Sequence, residues 1–233
     1  MLPQVVEFKR MALDLLFPQR CLGCGKAGIL ICPSCQSSLP ILAPPLCPLC
    51  GRPQLSGILC SDCIRWQAEI DGIRSPFRFD GVTRQAIHQL KYRNLRTLAA
   101  PLARLLNSYL AGHPVPGDVL VPVPLHPKRL KERGYNQSAL LANELGKLTN
   151  LPIIEDCLVR RQHTSPQAKT ATVDERRSNV SEAFVCRSDG LRNRQVILID
   201  DVATSGATLN ACAQALKAAG AISVWGLVMA REI

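Results

Sequence analysis

The sequence predicts an α/β domain built on a parallel sheet, preceded by a small module that metal rather than a core would hold together. Three observations predict it. Short apolar runs at residues 119–123, 196–199 and 222–229 alternate with helical stretches, as strands buried on both faces do. Eight of the eleven cysteines stand as four CxxC pairs between residues 21 and 63. Two acidic residues and a small, hydroxyl-rich loop, DDVATSGAT at residues 200–208, fall where a strand gives way to a helix.

From the start of the chain, residues 4–16 place Val5, Phe8, Ala12 and Leu15 near one face, and Pro18 follows, so residues 1–18 read as a short amphipathic helix. Glu7, Lys9, Arg10 and Asp14 interrupt this segment and no run of eighteen apolar residues occurs. Neither a signal peptide nor a membrane span fits, and a cytoplasmic protein is expected.

Residues 19–66 are the cysteine module, rich in Pro and Gly and too short to bury a core of its own. In a reducing compartment a CxxC turn aims two sulfurs at one tetrahedral ion. The natural count is two zinc ions, one on Cys21, Cys24, Cys32 and Cys35, the other on Cys47, Cys50, Cys60 and Cys63. Spacing alone also allows an interleaved pairing, and an iron–sulfur cluster is the alternative to zinc. Cys157, Cys186 and Cys212 have no partner at ligand spacing and read as structural.

The formal charge is +10. Eight thiolates and two divalent ions subtract four, leaving about +6 in a metal-loaded chain. Such an excess suits nucleic acid and equally a small substrate with several phosphates.

Residues 70–233 carry the main domain. Ile73, Phe77 and Phe79 suggest a strand in residues 70–80, and helices follow at about 83–93 and 100–110. The strand at 119–123 runs into PVPLHPKRLKERGYNQS, where Lys128, Arg129, Lys131 and Arg133 crowd a turn that Gly134 eases, a second candidate anion loop at a strand's carboxyl end. A helix at 138–148 and a strand at 152–158 come next. Residues 160–184 are polar, basic and aperiodic, and a loop of that length inside a domain is usually functional. The strand at 195–199 is expected to stop at Asp200 and Asp201, whose mutual repulsion should hold them open to a crevice. Thr204, Ser205, Gly206, Ala207 and Thr208 then lead into a helix at 209–219, whose N-terminal amides could meet a phosphate.

Neither GxGxxG nor GxxxxGK[ST] is present, and DDVATSGAT resembles the loop that binds 5-phosphoribosyl 1-diphosphate (PRPP) in type I phosphoribosyltransferases. That resemblance implies a parallel sheet with helices on both faces. It makes Asp200 and Asp201 the catalytic pair on the ribose hydroxyls, with Thr204 through Thr208 on the 5′-phosphate and Mg²⁺ accompanying PRPP. Lys128, Arg129 and Arg133 would complete the PRPP site. Residues 160–184 become a mobile hood, with Arg160, Gln167, Arg176, Arg177 and Asn179 over the diphosphate. Ala203 is a small departure, since many members carry a larger apolar residue there.

The cysteine ribbon, VPVPLHPKRLKERGYNQS, a QxxxxxxxxRRxN hood and DDVATSGAT together resemble the ComF family, bacterial competence and DNA-uptake proteins that include the GntX relatives. This implies a cytoplasmic protein, peripheral at the inner membrane, that handles single-stranded DNA in the uptake or use of external DNA. The DNA-uptake machinery, including a competence helicase, would be its partner. Single-stranded DNA calls for a basic groove with stacking aromatics, for which Tyr92, Tyr135 and Trp66 are the candidates. Phosphoribosyl transfer to an unnamed acceptor, a non-catalytic module for single-stranded DNA or phosphate, and a nucleotide-salvage transferase all stay open.

Overall fold

A computed structural model describes residues 19–161 and 183–233. The expected N-terminal helix and the hood residues Gln167, Arg176, Arg177 and Asn179 lie outside them. The chain divides into two units, one ending at Leu39 and the other running from Pro40 to Ile233.

In the first unit, a bridge between Arg20 and Ala27 closes a turn around Cys21 and Cys24. Cys32 caps helix α1, Pro33–Ser37. The second unit opens with a similar knuckle around Cys47 and Cys50, closed by a bridge from Leu46 to Pro53, and Cys60 caps α2, Ser61–Ile64.

The sheet follows. The edge is two short pieces, β1 (Gly72–Arg74) and β2 (Phe77–Arg78), both pairing in parallel with β7, Ser223–Arg231. β7 pairs with β6 (Gln195–Ala203), and β6 with β3 (Val119–Pro122), all in parallel. Their side chains are apolar on both faces, and both faces are covered. Val119, Val121, Val196, Leu198, Val224 and Val228 share a core with Leu209, Cys212 and Leu216 of helix α7, Ala207–Ala218. Residues of opposite parity on these strands face the other way, where α3 (Gly81–Tyr92), α4 (Ala99–Gly112) and α6 (Gln137–Thr149) pack.

Three stretches differ from expectation. β6 does not stop at Asp200 but continues to Ala203, because β7 keeps supplying hydrogen-bond partners as far as Arg231. Residues 152–158 do not form one strand. Ile153 makes a single bridge to Leu120, while Leu158–Arg160 (β4) turns away to pair antiparallel with Phe184–Cys186 (β5). The basic turn is a helix, α5, Pro127–Arg133, with Pro at its start and Gly134 at φ 77 as its stop. Lys, Arg, Leu and Glu are good helix formers between such signals.

The second knuckle docks on the sheet edge. Ile73 N donates to Leu49 O at 2.7 Å and the Arg74 guanidinium to Pro48 O at 2.9 Å. Gly51, at φ +71, lies so close that a Cβ there would stand 2.6 Å from the Ile73 carbonyl oxygen. Gly51→Ala is therefore expected to cost roughly 2–4 kcal/mol, combining backbone strain with overpacking, and to lower the urea midpoint of the second unit accordingly.

Candidate functional site

The cysteines gather as two groups of four, Cys21, Cys24, Cys32 and Cys35, and Cys47, Cys50, Cys60 and Cys63, with all sulfurs of a group within 4.8 Å of one another. Cys24 and Cys32 sulfurs stand 3.6 Å apart, and Cys50 and Cys60 sulfurs 3.8 Å. A tetrahedral zinc with Zn–S bonds of about 2.3 Å spaces its sulfurs about 3.8 Å apart, so both groups fit the ion. Backbone donors are arranged for thiolates. Burial works against the Cys21 anion, but the amides of Cys32, Cys24 and Gly23 bring its pKa down to about 6. Cys47 is likewise brought to about 7, against its burial, by the Cys50, Cys60 and Leu49 amides. Cys157, Cys186 and Cys212 join neither group.

The acidic pair sits on β6, where strand alternation sends the two side chains to opposite faces. Asp201 is not open to a crevice as expected; it is 2% exposed. Its Oδ1 meets the Lys91 ammonium at 2.8 Å, and its Oδ2 is buried with no hydrogen-bond partner. Burial alone would depress Lys91, but the Asp201 charge and hydrogen bond outweigh it and hold the ammonium above its ordinary range. Asp200 is half-buried and accepts from Ser138 Oγ at 2.8 Å and from the Asp201 amide at 2.9 Å. Burial, then repulsion from Asp201, lifts its carboxyl to about 7.

β6 ends in the loop that begins α7. Gly206 adopts φ +83, and a Cβ there would stand 2.9 Å from Ile73 Cδ1 and 3.1 Å from the Trp66 ring. This residue must be glycine on both counts. Ser205 is buried and its Oγ accepts from Ala207 N at 3.3 Å, while Thr204 is exposed.

A largely basic cleft of about 740 Å³ reaches the acidic pair only through Lys91 and is lined by Lys91, Arg96, Arg129 and Arg133 with Glu132, Tyr92 and Tyr135. Arg96 stacks over Tyr135 at 4.4 Å and Arg133 over Tyr92 at 5.2 Å. Arg129 and Arg133 are half-buried on α5, whereas Lys128 is exposed and does not line the cleft. Arg160, on β4, feels both the Arg129 charge and the Asp200 charge, and burial lowers its pKa. Of the three aromatic candidates, Tyr92 is exposed, Trp66 is half-buried, and Tyr135 is packed with its hydroxyl donating to Leu90 O.

Sequence reasoning noted Lys91 only as the neighbour of Tyr92 and missed its pairing with Asp201, and it missed the role of Ser138. Ser138 is signalled only by its place beside the Asn136 cap of α6. Lys91 in the last turn of α3 carries no local mark.

The double zinc ribbon domain matches residues 12–64. Competence protein ComFC of Bacillus subtilis is 31% identical over 211 residues, covering 87% of this chain and 84% of that one. Competence protein F of Haemophilus influenzae is 31% identical over 230 residues, covering 92% and 98%. DNA utilization protein YhgH of Escherichia coli K12 is 30% identical over 191 residues, covering 78% and 83%. Among solved structures, the adenine phosphoribosyltransferase of Thermoanaerobacter pseudethanolicus is similar at a TM-score of 0.38 and 10% identity, over 60% of this chain and 83% of that one.

Two measurements follow from this geometry. Elemental analysis should find two zinc ions per chain, matching the two sulfur groups, and Cys63→Ser should bind about one fewer; iron with visible absorbance would overturn this assignment. The second concerns pH. Because Asp200 titrates near 7 in the folded chain and near 4 unfolded, the folded state holds a proton that the unfolded state has released. Stability from this group is complete below the unfolded value and is lost as pH rises towards 7. Asp200→Asn should therefore abolish part of the fall in melting temperature between about pH 4 and 7, by a few degrees.

Proposed function

The chain belongs to the ComF family, and from that premise we propose that it binds PRPP with Mg²⁺ at the β6–α7 junction and serves the uptake or use of external DNA. The observation that carries the PRPP reading is the Gly206 turn. A buried strand bearing Asp200 and Asp201 passes through a glycine in the left-handed region directly into a helix of 12 residues. The first amides of such a helix are free to meet an anion, and its dipole favours one. In this reading Thr204 through Thr208 take the 5′-phosphate and the carboxylates take the ribose hydroxyls and the metal. Arg129, Arg133 and Arg160 face the diphosphate, with Lys128 at its exposed margin.

The DNA reading is supported by the names of the relatives and by the basic cleft. Arg96, Arg129 and Arg133 beside an exposed Tyr92 offer phosphate contacts and one stacking surface, the combination that single strands use. A cytoplasmic place of action beside the inner membrane, with the uptake machinery and its helicase as neighbours, belongs to the same reading. No helix among the described residues is long and apolar enough to cross a membrane. Transfer of the ribosyl group would form a bond from C1 to a nucleophilic acceptor as the C1–oxygen bond breaks and diphosphate leaves with its electron pair, the arginines balancing the charge that develops on it.

Asp200→Asn is the cleanest test, since replacing Asp201 would leave the Lys91 ammonium without its carboxylate. Loss of one charge-assisted bond, worth about 1.5–3 kcal/mol, should weaken PRPP about tenfold to hundredfold by calorimetry. Binding of single-stranded DNA measured beside it should persist. PRPP affinity equal to that of the wild type would overturn the proposal, and pyrophosphate release in the presence of candidate acceptors separates an enzyme from a binding module.

A further inference from the structure

The second cysteine group does more than fold its own knuckle. Arg52 lies two residues past Cys50, and its carbonyl accepts from Cys47 N at 2.7 Å, so its backbone closes the first ligand turn. Its guanidinium reaches two ways. Nη1 donates to Asp62 Oδ2 at 3.1 Å, and Nη2 donates to the Thr204 carbonyl at 3.3 Å. Asp62 sits between Cys60 and Cys63, inside the second ligand turn. The ion pair thus spans the two turns whose sulfurs would share one metal, and its free hand holds the loop that ends β6.

Trp66 makes the other contact. It follows Cys63 and donates its amide to the Cys63 carbonyl at 3.3 Å, and its ring lies where a Cβ on Gly206 would come within 3.1 Å. Thr204 and Gly206 are therefore both fixed from the knuckle, with Ser205 between them. The peptide joining Thr204 to Ser205 is planar and trans, so its C=O and N–H point in opposite directions. Anchoring the Thr204 carbonyl on Arg52 turns the Ser205 amide away from the knuckle.

We infer that the second cysteine knuckle is the scaffold of the phosphate loop, with Arg52 and Trp66 as positioning residues that set how its amides meet an anion. The inference rests on the proposed role of residues 204–208 for its ligand, but not for its mechanics. Metal on Cys47, Cys50, Cys60 and Cys63 fixes the Arg52–Asp62 pair and, through it, the loop.

The test uses the full zinc-loaded chain with Arg52→Gln, Arg52→Lys and, as a control, Arg65→Gln. Arg65 is another partner of Asp62, at 3.8 Å and 75% exposed. Hydrogen exchange at Ser205, Gly206 and Ala207 should quicken in Arg52→Gln and stay at the wild-type rate in Arg65→Gln. Arg52→Lys should fall between them, since one ammonium cannot reproduce the fork that spans two acceptors. Zinc content should be unchanged in all three. Ribose 5-phosphate, followed by calorimetry, should bind about tenfold more weakly to Arg52→Gln, and adding Asp62→Asn to that variant should weaken it little further, since both act through one strut. Stripping the metal with a chelator should raise loop exchange in the wild type as well. Wild-type exchange and affinity in Arg52→Gln, or zinc loss with the loop still protected, would overturn the scaffold. If the wild type binds neither ribose 5-phosphate nor PRPP, the functional proposal falls, and the exchange rates still decide the strut.

Discussion

A carboxylate carried into the core by the central strand must be matched there, and much of the second unit follows from that requirement. Asp201 is 2% exposed, and an unpaired charge at such a place would cost several kcal/mol. The Lys91 ammonium at 2.8 Å offsets it. To deliver that ammonium, α3 must end beside β6. Its end in turn places Tyr92 under Arg133 of α5. The basic cleft is thus built at the end of the helix that neutralises Asp201. Removing either partner would leave the other buried and alone, which makes the pair a structural fixture as well as a site element.

The cysteine groups answer a different shortage. Between residues 19 and 66 little apolar surface is available, and Leu55, Ile58 and Ile64 are exposed. Hydrogen-bonded turns alone do not order so short a segment against its chain entropy. Four sulfurs on one ion do, provided the amides around them favour the thiolate form, as they do at Cys21 and Cys47. In the second unit that order is passed on, because Leu49 also packs against the sheet's core.

Much of this was legible in the sequence, and the limits were physical. Residues 119–122 and 196–199 read as buried strands because nothing polar interrupts them, and the CxxC pairs named the ligands because ligand turns are local. An interleaved grouping stayed open in the sequence, whereas in the structure the sulfurs gather in chain order. The acidic pair was misjudged as a strand end, because a sequence shows the cost of burying charge but not the distant lysine that offsets it. The same blindness hid Ser138, whose hydroxyl meets Asp200 across two elements. Residues 152–158 looked like one strand because Pro152 and Leu158 bracket apolar residues, yet Asp156 and the turn to β4 leave only Ile153 on the sheet. The helical form of residues 127–133 is marked in the sequence by Pro127 at its start and Gly134 at its stop.

The two adjacent carboxylates are chemically unlike, although their order in the sequence makes them look alike. Asp201 is already bonded to an ammonium and sealed from water, so a ligand can use it only by displacing Lys91 or by reaching the unpartnered Oδ2. Asp200 is the more accessible and sits near 7, where a modest change of surroundings alters its charge. A cation or a hydroxyl pair arriving at β6 would therefore act first on Asp200, lowering its pKa and releasing its proton. With a hydroxyl pair the added negative charge would strengthen the hold on Lys91, since that ammonium also feels Asp200. A divalent cation would instead add more positive charge than the proton it displaces and weaken that hold. Ligand charge at one face of the strand and the lysine at the other are in this way coupled through two neighbouring residues, and the basic cleft that Lys91 borders shares in the coupling.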